Sequence, residues 1–267
     1  DATESSGMNW ARKIAHGFWT DEQWYLQIDS HMRFVQDWDY ELMKLLTKCK
    51  KRSEHKKPII SQRCFPYYPE KGGKVREGDG TTWIHGKEFR SNGVLKLSAG
   101  HTRTKNNEPA PTAFGSGHFL FASSKLIQEM PYDEDIAIIA TGDEPLLSVK
   151  AWTRGWDIFI PGKPVLYHHF YREQSPKMHE DHKKHHEIPW KGLAEKGVKR
   201  SNQINYENYI GKYGLGKART IEEFGEYAGV DFKNRKIITE ARIKNVYKDK
   251  KAKTRKVVAK KSASNKS

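Results

Sequence analysis

Segments of helical period alternate with short apolar runs along most of this chain, and that alternation is what most narrows its fold. Asn9 to Trp19, with Ser5 or Ser6 as candidate cap, reads as a helix. A turn at "TDE" then feeds the apolar run Trp24 to Ile28, a strand. A second helix is expected over Asp39 to Lys50, where Leu42, Leu45 and Leu46 sit at helical spacing, and "KPIISQRCF" reads as the next strand. Tyr67 to Pro111, rich in Gly, Lys, Asn and Pro, reads as a surface excursion. "GSGHFLFASS" follows as a strand, then "GDEPLLSVKAWTRG" as a helix with Pro145 near its start and Gly155 past its end. "WDIFIP" and "VLYHHFY" are further strands, and "TIEEFGEYAG" is a last helix with Thr220 as N-cap and Glu223 completing a capping box. Helix and strand in alternation predict an α/β fold.

The 267 residues suffice for one large domain with a sizeable core. No stretch approaches the roughly 18 to 20 apolar residues of a membrane span, and no secretion signal opens the chain, so it reads as soluble. The net charge of +15 invites a nucleic-acid reading, but its distribution weakens that. From Arg242 to Ser267 there are 11 Lys/Arg against one Asp, a net +10. Such a composition cannot bury enough apolar surface to offset ordering, so residues 239–267 are expected to form a disordered basic tail after a domain at 1–238. A solvated tail is the simple account, and a tether to RNA, DNA or an acidic lipid surface is the alternative. Cys49 and Cys64, too few for a disulfide framework and too far apart for a CxxC pair, suggest free thiols in a reducing compartment, the cytoplasm.

The run Tyr25 to Ile28 stops on Asp29-Ser30-His31. In an extended chain alternate side chains share a face, so Asp29 and His31 can point together while Ser30 points away. A carboxylate oxygen and an imidazole nitrogen make a two-point clamp suited to a divalent ion such as manganese, with positions left open for substrate oxygens. Alone, the motif is weak, and the same two residues read more readily as a strand-end cap and a surface residue.

Several motifs occur in one order: "GMNWAR", a strand ending in "DSH", "GSGHFLFAS", "TGDEPLLSVKAWTRGWDIFIP", "VLYHHFYR" and "YGLGKARTIEEFGEYAGVDF". Together, over about residues 4 to 235, they resemble the GT-A glycosyltransferases. The likeness is strongest to the GlcNAc-transferase family that modifies hydroxyproline on a cytosolic ubiquitin-ligase subunit, and more distant to polypeptide GalNAc-transferases. The resemblance implies a GT-A-like mixed sheet flanked by helices and a manganese ion held by Asp29 and His31 against the diphosphate of a UDP-sugar. A third ligand is implied in a His-x-aromatic-Arg pattern, which "HFYR" fits through His169, with Arg172 as a fixed donor to the leaving group. His168 lies on the opposite face of the strand, and only one of the pair can reach the ion.

"TGDEP" resembles the acidic segment that opens a helix beside the donor sugar, which makes Asp143 and Glu144 the corresponding acids, Glu144 first. A carboxylate there can bind sugar hydroxyls or orient the acceptor, although an acid before Pro145 can equally cap the helix. Gly115 and Gly117 match small residues that let the substrates approach the backbone, and Gly117 is the implied donor contact. His118 departs from the family pattern and reads as a hydrogen-bonded polar residue. Arg12 of "GMNWAR" is implied to contact uridine or phosphate, with a surface ion pair as the alternative. His179, His182, His185 and His186 in "MHEDHKKHHE" could suggest zinc, but a solvated loop or lid is the stronger reading among Lys and Glu.

GT-A folds usually begin with strand-helix-strand units that hold the uracil, and these are not found ahead of "GMNWAR". Upstream sequence is therefore expected before Asp1. The resulting expectation is a UDP-sugar-dependent enzyme transferring GlcNAc from UDP-GlcNAc to a hydroxyl of a protein or glycan with retention. The rivals are a non-catalytic basic nucleic-acid-binding protein and a metal-dependent hydrolase using Asp29, His31 and His169 around a water.

Overall fold

The computed structural model describes residues 5–69, 75–77, 80–136, 142–170, 180, 183 and 190–238. Its first half runs α1 (Met8–Gly17), β1 (Trp24–Ile28), β2 (Met32–Phe34), α2 (Trp38–Arg52), β3 (Pro58–Ser61), β4 (Phe65–Pro69), β5 (Val75–Glu77), β6 (Thr81–Phe89) and β7 (Leu95–Thr102). The second half runs β8 (Ala110–Thr112), β9 (Phe119–Ser123), α3 (Lys125–Glu129), α4 (Asp143–Thr153), β10 (Asp157–Ile160), β11 (Leu166–His168), α5 (Trp190–Tyr206), α6 (Ile221–Ala228), β12 (Val230–Asp231) and β13 (Lys236–Ile237). The fold is mixed α/β, as expected.

A five-stranded sheet has the order β1-β9-β3-β10-β8, and a four-stranded sheet the order β2-β11-β4-β5. Within the first, β3 and β10 are parallel while β1 and β9 are antiparallel; within the second, β4 and β11 are parallel and β2 and β11 antiparallel. Three times the chain leaves the larger sheet and enters the smaller: after β1 through residues 29–31, after β3 through 62–64, and after β10 through 161–165. The expected single strand "KPIISQRCF" is thus two strands in different sheets.

The larger sheet is covered on both faces, which follows from the period of two along its strands. Ile60, Phe119, Phe121 and Phe159 pack with Leu42, Leu45, Leu46 and Cys49 of α2. Their neighbours Ile59, Leu120, Ala122 and Ile158 point the other way, onto Leu126, Met130, Ala151 and Trp156. A third cluster gathers Ile84, Leu95, Phe114, Val149, Ile204 and Phe224. Ile84 and Leu95 belong to the β6–β7 hairpin, so the segment read as a surface excursion is instead part of the core. Charged residues such as Lys87 and Glu88 are exposed, and the buried Thr81 and Thr82 are themselves polar, so the alternation is masked.

The capping box of α6 is present in full: Thr220 Oγ1 accepts from the Glu223 amide at 3.1 Å and Glu223 Oε2 accepts from the Thr220 amide at 2.7 Å. At α1 the expected serine cap is absent; Gly7 holds that position, with no side-chain hydrogen bond. No described helix is long and apolar enough to cross a membrane. Residues 239–267 lie outside the described residues, as do Arg172 and the histidines at 179, 182, 185 and 186.

Candidate active site

The crossing from β1 to β2 carries Asp29 and His31, and the pairing of β2 with β11 decides what faces them. His168 stands opposite Met32 in that antiparallel register, and the His169 amide donates to the His31 carbonyl at 3.1 Å. His168 Nε2 consequently lies 2.8 Å from His31 Nε2 and 3.1 Å from Asp29 Oδ2, with His31 Nε2 3.7 Å from the same carboxylate oxygen. The residue brought to Asp29 and His31 is therefore His168, where His169 was expected. Adjacent side chains of an extended segment point apart, and the His169 ring instead lies 5.2 Å from that of Tyr67.

These three residues fit a divalent cation. An octahedral ion with bonds of about 2.1 Å sets neighbouring ligand atoms about 3 Å apart, close to the separations found here. Two imidazole nitrogens at 2.8 Å cannot both carry protons, and a cation at their common focus would satisfy both together with the carboxylate. A hydrogen bond from His168, opposed by burial and aided by the charges of His118, His168 and His31, holds the Asp29 carboxyl below its usual range.

Behind the clamp, His118 accepts the Cys64 amide on Nε2 at 2.9 Å, which leaves Nδ1–H to donate to Ser116 Oγ at 3.0 Å. Both nitrogens are thus engaged, as the reading of a hydrogen-bonded histidine anticipated. Burial, with the His168 charge, pushes its pKa down to about 3.

The second wall is the start of α4. Gly142 occupies the N-cap position at φ +120°, a backbone region costly for any side chain, and no side chain caps the helix. The two acids after it do something other than cap. Asp143 Oδ2 pairs with Arg12 Nη1 at 3.3 Å. Glu144 Oε1 accepts from Ser116 Oγ at 2.8 Å and from the Gly117 amide at 2.9 Å, while Oε2 receives no hydrogen bond from a described residue. Burial raises the pKa of both acids, against the Arg12 charge at Asp143, and with the Asp143 charge adding to the rise at Glu144.

Gly117 is fixed at both ends of its backbone. Its carbonyl accepts from Arg12 Nη2 at 2.8 Å and Gln27 Nε2 at 2.6 Å, and a Cβ there would stand 3.0 Å from Asp143 Oδ2. Gly115, expected to make room for substrate, faces inward, where a Cβ would meet Ser61 Oγ at 3.2 Å. Arg12, expected at the nucleotide, is committed to Asn9, Asp143 and the Gly117 carbonyl. Gln27 and Ser116 were not anticipated. Gln27 is two residues before Asp29 on the same strand face, a signal the period of two contained.

A family model described as Glycosyltransferase (GlcNAc) matches residues 1–234. Among solved structures, a crystal structure of GalNAc-T7 with UDP, GalNAc and Mn2+ is similar, with a TM-score of 0.52 at 14% identity. The likeness covers 84% of this chain and 38% of that one, so this chain spans well under half the length of the protein it resembles. No curated protein matches the sequence. At that identity the structural likeness shows a shared GT-A fold.

Proposed function

The chain belongs to the glycosyltransferase (GlcNAc) family, and from that premise we propose that it moves GlcNAc from UDP-GlcNAc to a hydroxyl of a protein or glycan. The observation that carries the reading is the convergence of Asp29, His31 and His168 beside Glu144 and Gly117. Retention of configuration and dependence on a divalent cation such as Mn2+ belong to the same proposal, in line with the resemblance to polypeptide GalNAc-transferases. So does a reducing, cytoplasmic setting, which the two free buried thiols of Cys49 and Cys64 support.

Asp29, His31 and His168 would hold the cation, and when bound it would offset the negative charge that builds on the departing diphosphate. The chain's own groups then position the sugar. Glu144, anchored through one carboxylate oxygen by Ser116 and Gly117, offers Oε2 to a hydroxyl of the donor or acceptor. Arg12 and Gln27 hold the Gly117 carbonyl, so the wall against which the sugar packs is rigid before substrate arrives. The Arg12 charge also opposes the rise in the Asp143 pKa that burial causes.

The test is a screen of UDP-sugars with Mn2+ on the full-length protein. UDP-GlcNAc should be consumed with release of UDP, and Mn2+ should be required for UDP to raise the melting temperature. Absence of both responses would reject the reading.

A further inference from the structure

Arg63 lies on the crossing from β3 to β4, exposed between the buried Gln62 and Cys64. That crossing is part of the site: the Cys64 amide donates to His118, whose ring stands 4.8 Å from that of His168. The Arg63 carbonyl accepts from Thr82 Oγ1, which ties its backbone to β6. Its guanidinium carbon lies 5.1 Å from the centre of the Phe170 ring, and Phe170 in turn packs 4.0 Å from the His168 ring. Among the described residues the guanidinium has no carboxylate and no hydrogen-bond partner. Its charge nevertheless reaches inward, adding to the fall at His118 and opposing the burial-driven rise at Glu144.

An arginine steered by an aromatic ring, unpaired among the described residues, beside a cluster that would hold a cation, is placed to receive an anion. Arg12 is less free to do so, because both of its terminal nitrogens already donate, to Asn9, Asp143 and the Gly117 carbonyl. We infer that Arg63 is an anion-binding residue of this site and takes oxygens of the diphosphate in the nucleotide-sugar. The inference rests on the proposed reading of the site and names a contact that reading leaves open. Arginine suits the task because its planar fork can bind two oxygens at once, whereas an ammonium offers a point charge.

Titration calorimetry with inorganic pyrophosphate and with UDP, each in the presence of Mn2+, tests this. Arg63→Gln should weaken both by about ten- to a hundredfold, the range of a lost charge-assisted hydrogen bond. Arg63→Lys should recover part of the loss, while uridine binding, Mn2+ binding alone and the melting temperature stay unchanged. Pyrophosphate and UDP affinities within twofold of the unsubstituted protein would overturn the inference, as would an unsubstituted protein that does not bind pyrophosphate. The two ideas separate cleanly. Arg63-dependent pyrophosphate binding without turnover of any UDP-sugar would keep the anion contact and remove the transferase. Turnover that survives Arg63→Gln with unchanged UDP affinity would do the reverse.

Discussion

The Nε2 atoms of His31 and His168, 137 residues apart in the chain, stand 2.8 Å from one another. Nothing but a shared proton or a bound cation reconciles two such nitrogens at that distance. His168→Ala should therefore abolish the Mn2+-dependent rise in melting temperature caused by UDP, as should His31→Ala. His169→Ala should retain most of it, because that ring faces Tyr67. The opposite ranking of the two neighbours would return the ligand role to His169.

Glu144 is held through one oxygen and offers the other. Glu144→Gln keeps an oxygen for the Ser116 and Gly117 donors but removes the negative charge. Turnover should fall by about ten- to a thousandfold, with the affinity for UDP close to unchanged. A matching loss of UDP affinity would place Glu144 at the nucleotide instead of the sugar.

Most elements were legible because their signals are local. Trp24–Ile28 is apolar between turn residues, and Thr220 with Glu223 is a complete capping box, so both appear where expected. The choice of His168 over His169 was not local, since it depends on the register of β11 against β2. The β6–β7 hairpin was obscured by Gly86, His85 and outward-facing lysines, and only the placement of Ile84 and Leu95 against α4 and α6 reveals it as core. Arg12 was identified as a site residue, but its partners come from segments more than a hundred residues away, at Gly117 and Asp143. Spacing along the chain carries no information about such pairings.

His16 is half-buried, its Nε2 bonded to the Tyr25 hydroxyl at 2.8 Å and its Nδ1 enclosed without a partner among the described residues. Burial, helped by the charges of Arg12 and Lys150, pushes its pKa down to about 4. The unfolded chain, with an ordinary histidine pKa of about 6.5, binds more protons between the two values, so stability rises with pH through that window and falls on acidification. The loss should be on the order of 1–2 kcal/mol, allowing for the ring's partial exposure. His118 acts in the same direction toward about 3. His16→Gln retains a donor for Tyr25 without a titrating proton, and it should flatten the fall in urea midpoint between about pH 6.5 and 4. An unchanged slope would assign the acid sensitivity elsewhere.

Arg12 joins α1 to both walls of the site, through Asp143 and through the Gly117 carbonyl. Arg12→Gln should leave the Asp143 carboxylate without its counter-charge and the Gly117 carbonyl with Gln27 as its remaining donor. Breaking such a partly buried pair should cost about 1–3 kcal/mol in urea unfolding. Asp143→Asn alone should also destabilise, and the double variant should lose less than the two single losses added, because the same ion pair is removed in both. Turnover of Arg12→Gln should fall even well below its melting temperature, since the Gly117 wall then moves relative to Glu144. Additive stability losses would mean that the 3.3 Å contact between Arg12 and Asp143 contributes nothing to the fold. Full turnover in the folded variant would confine Arg12 to stability.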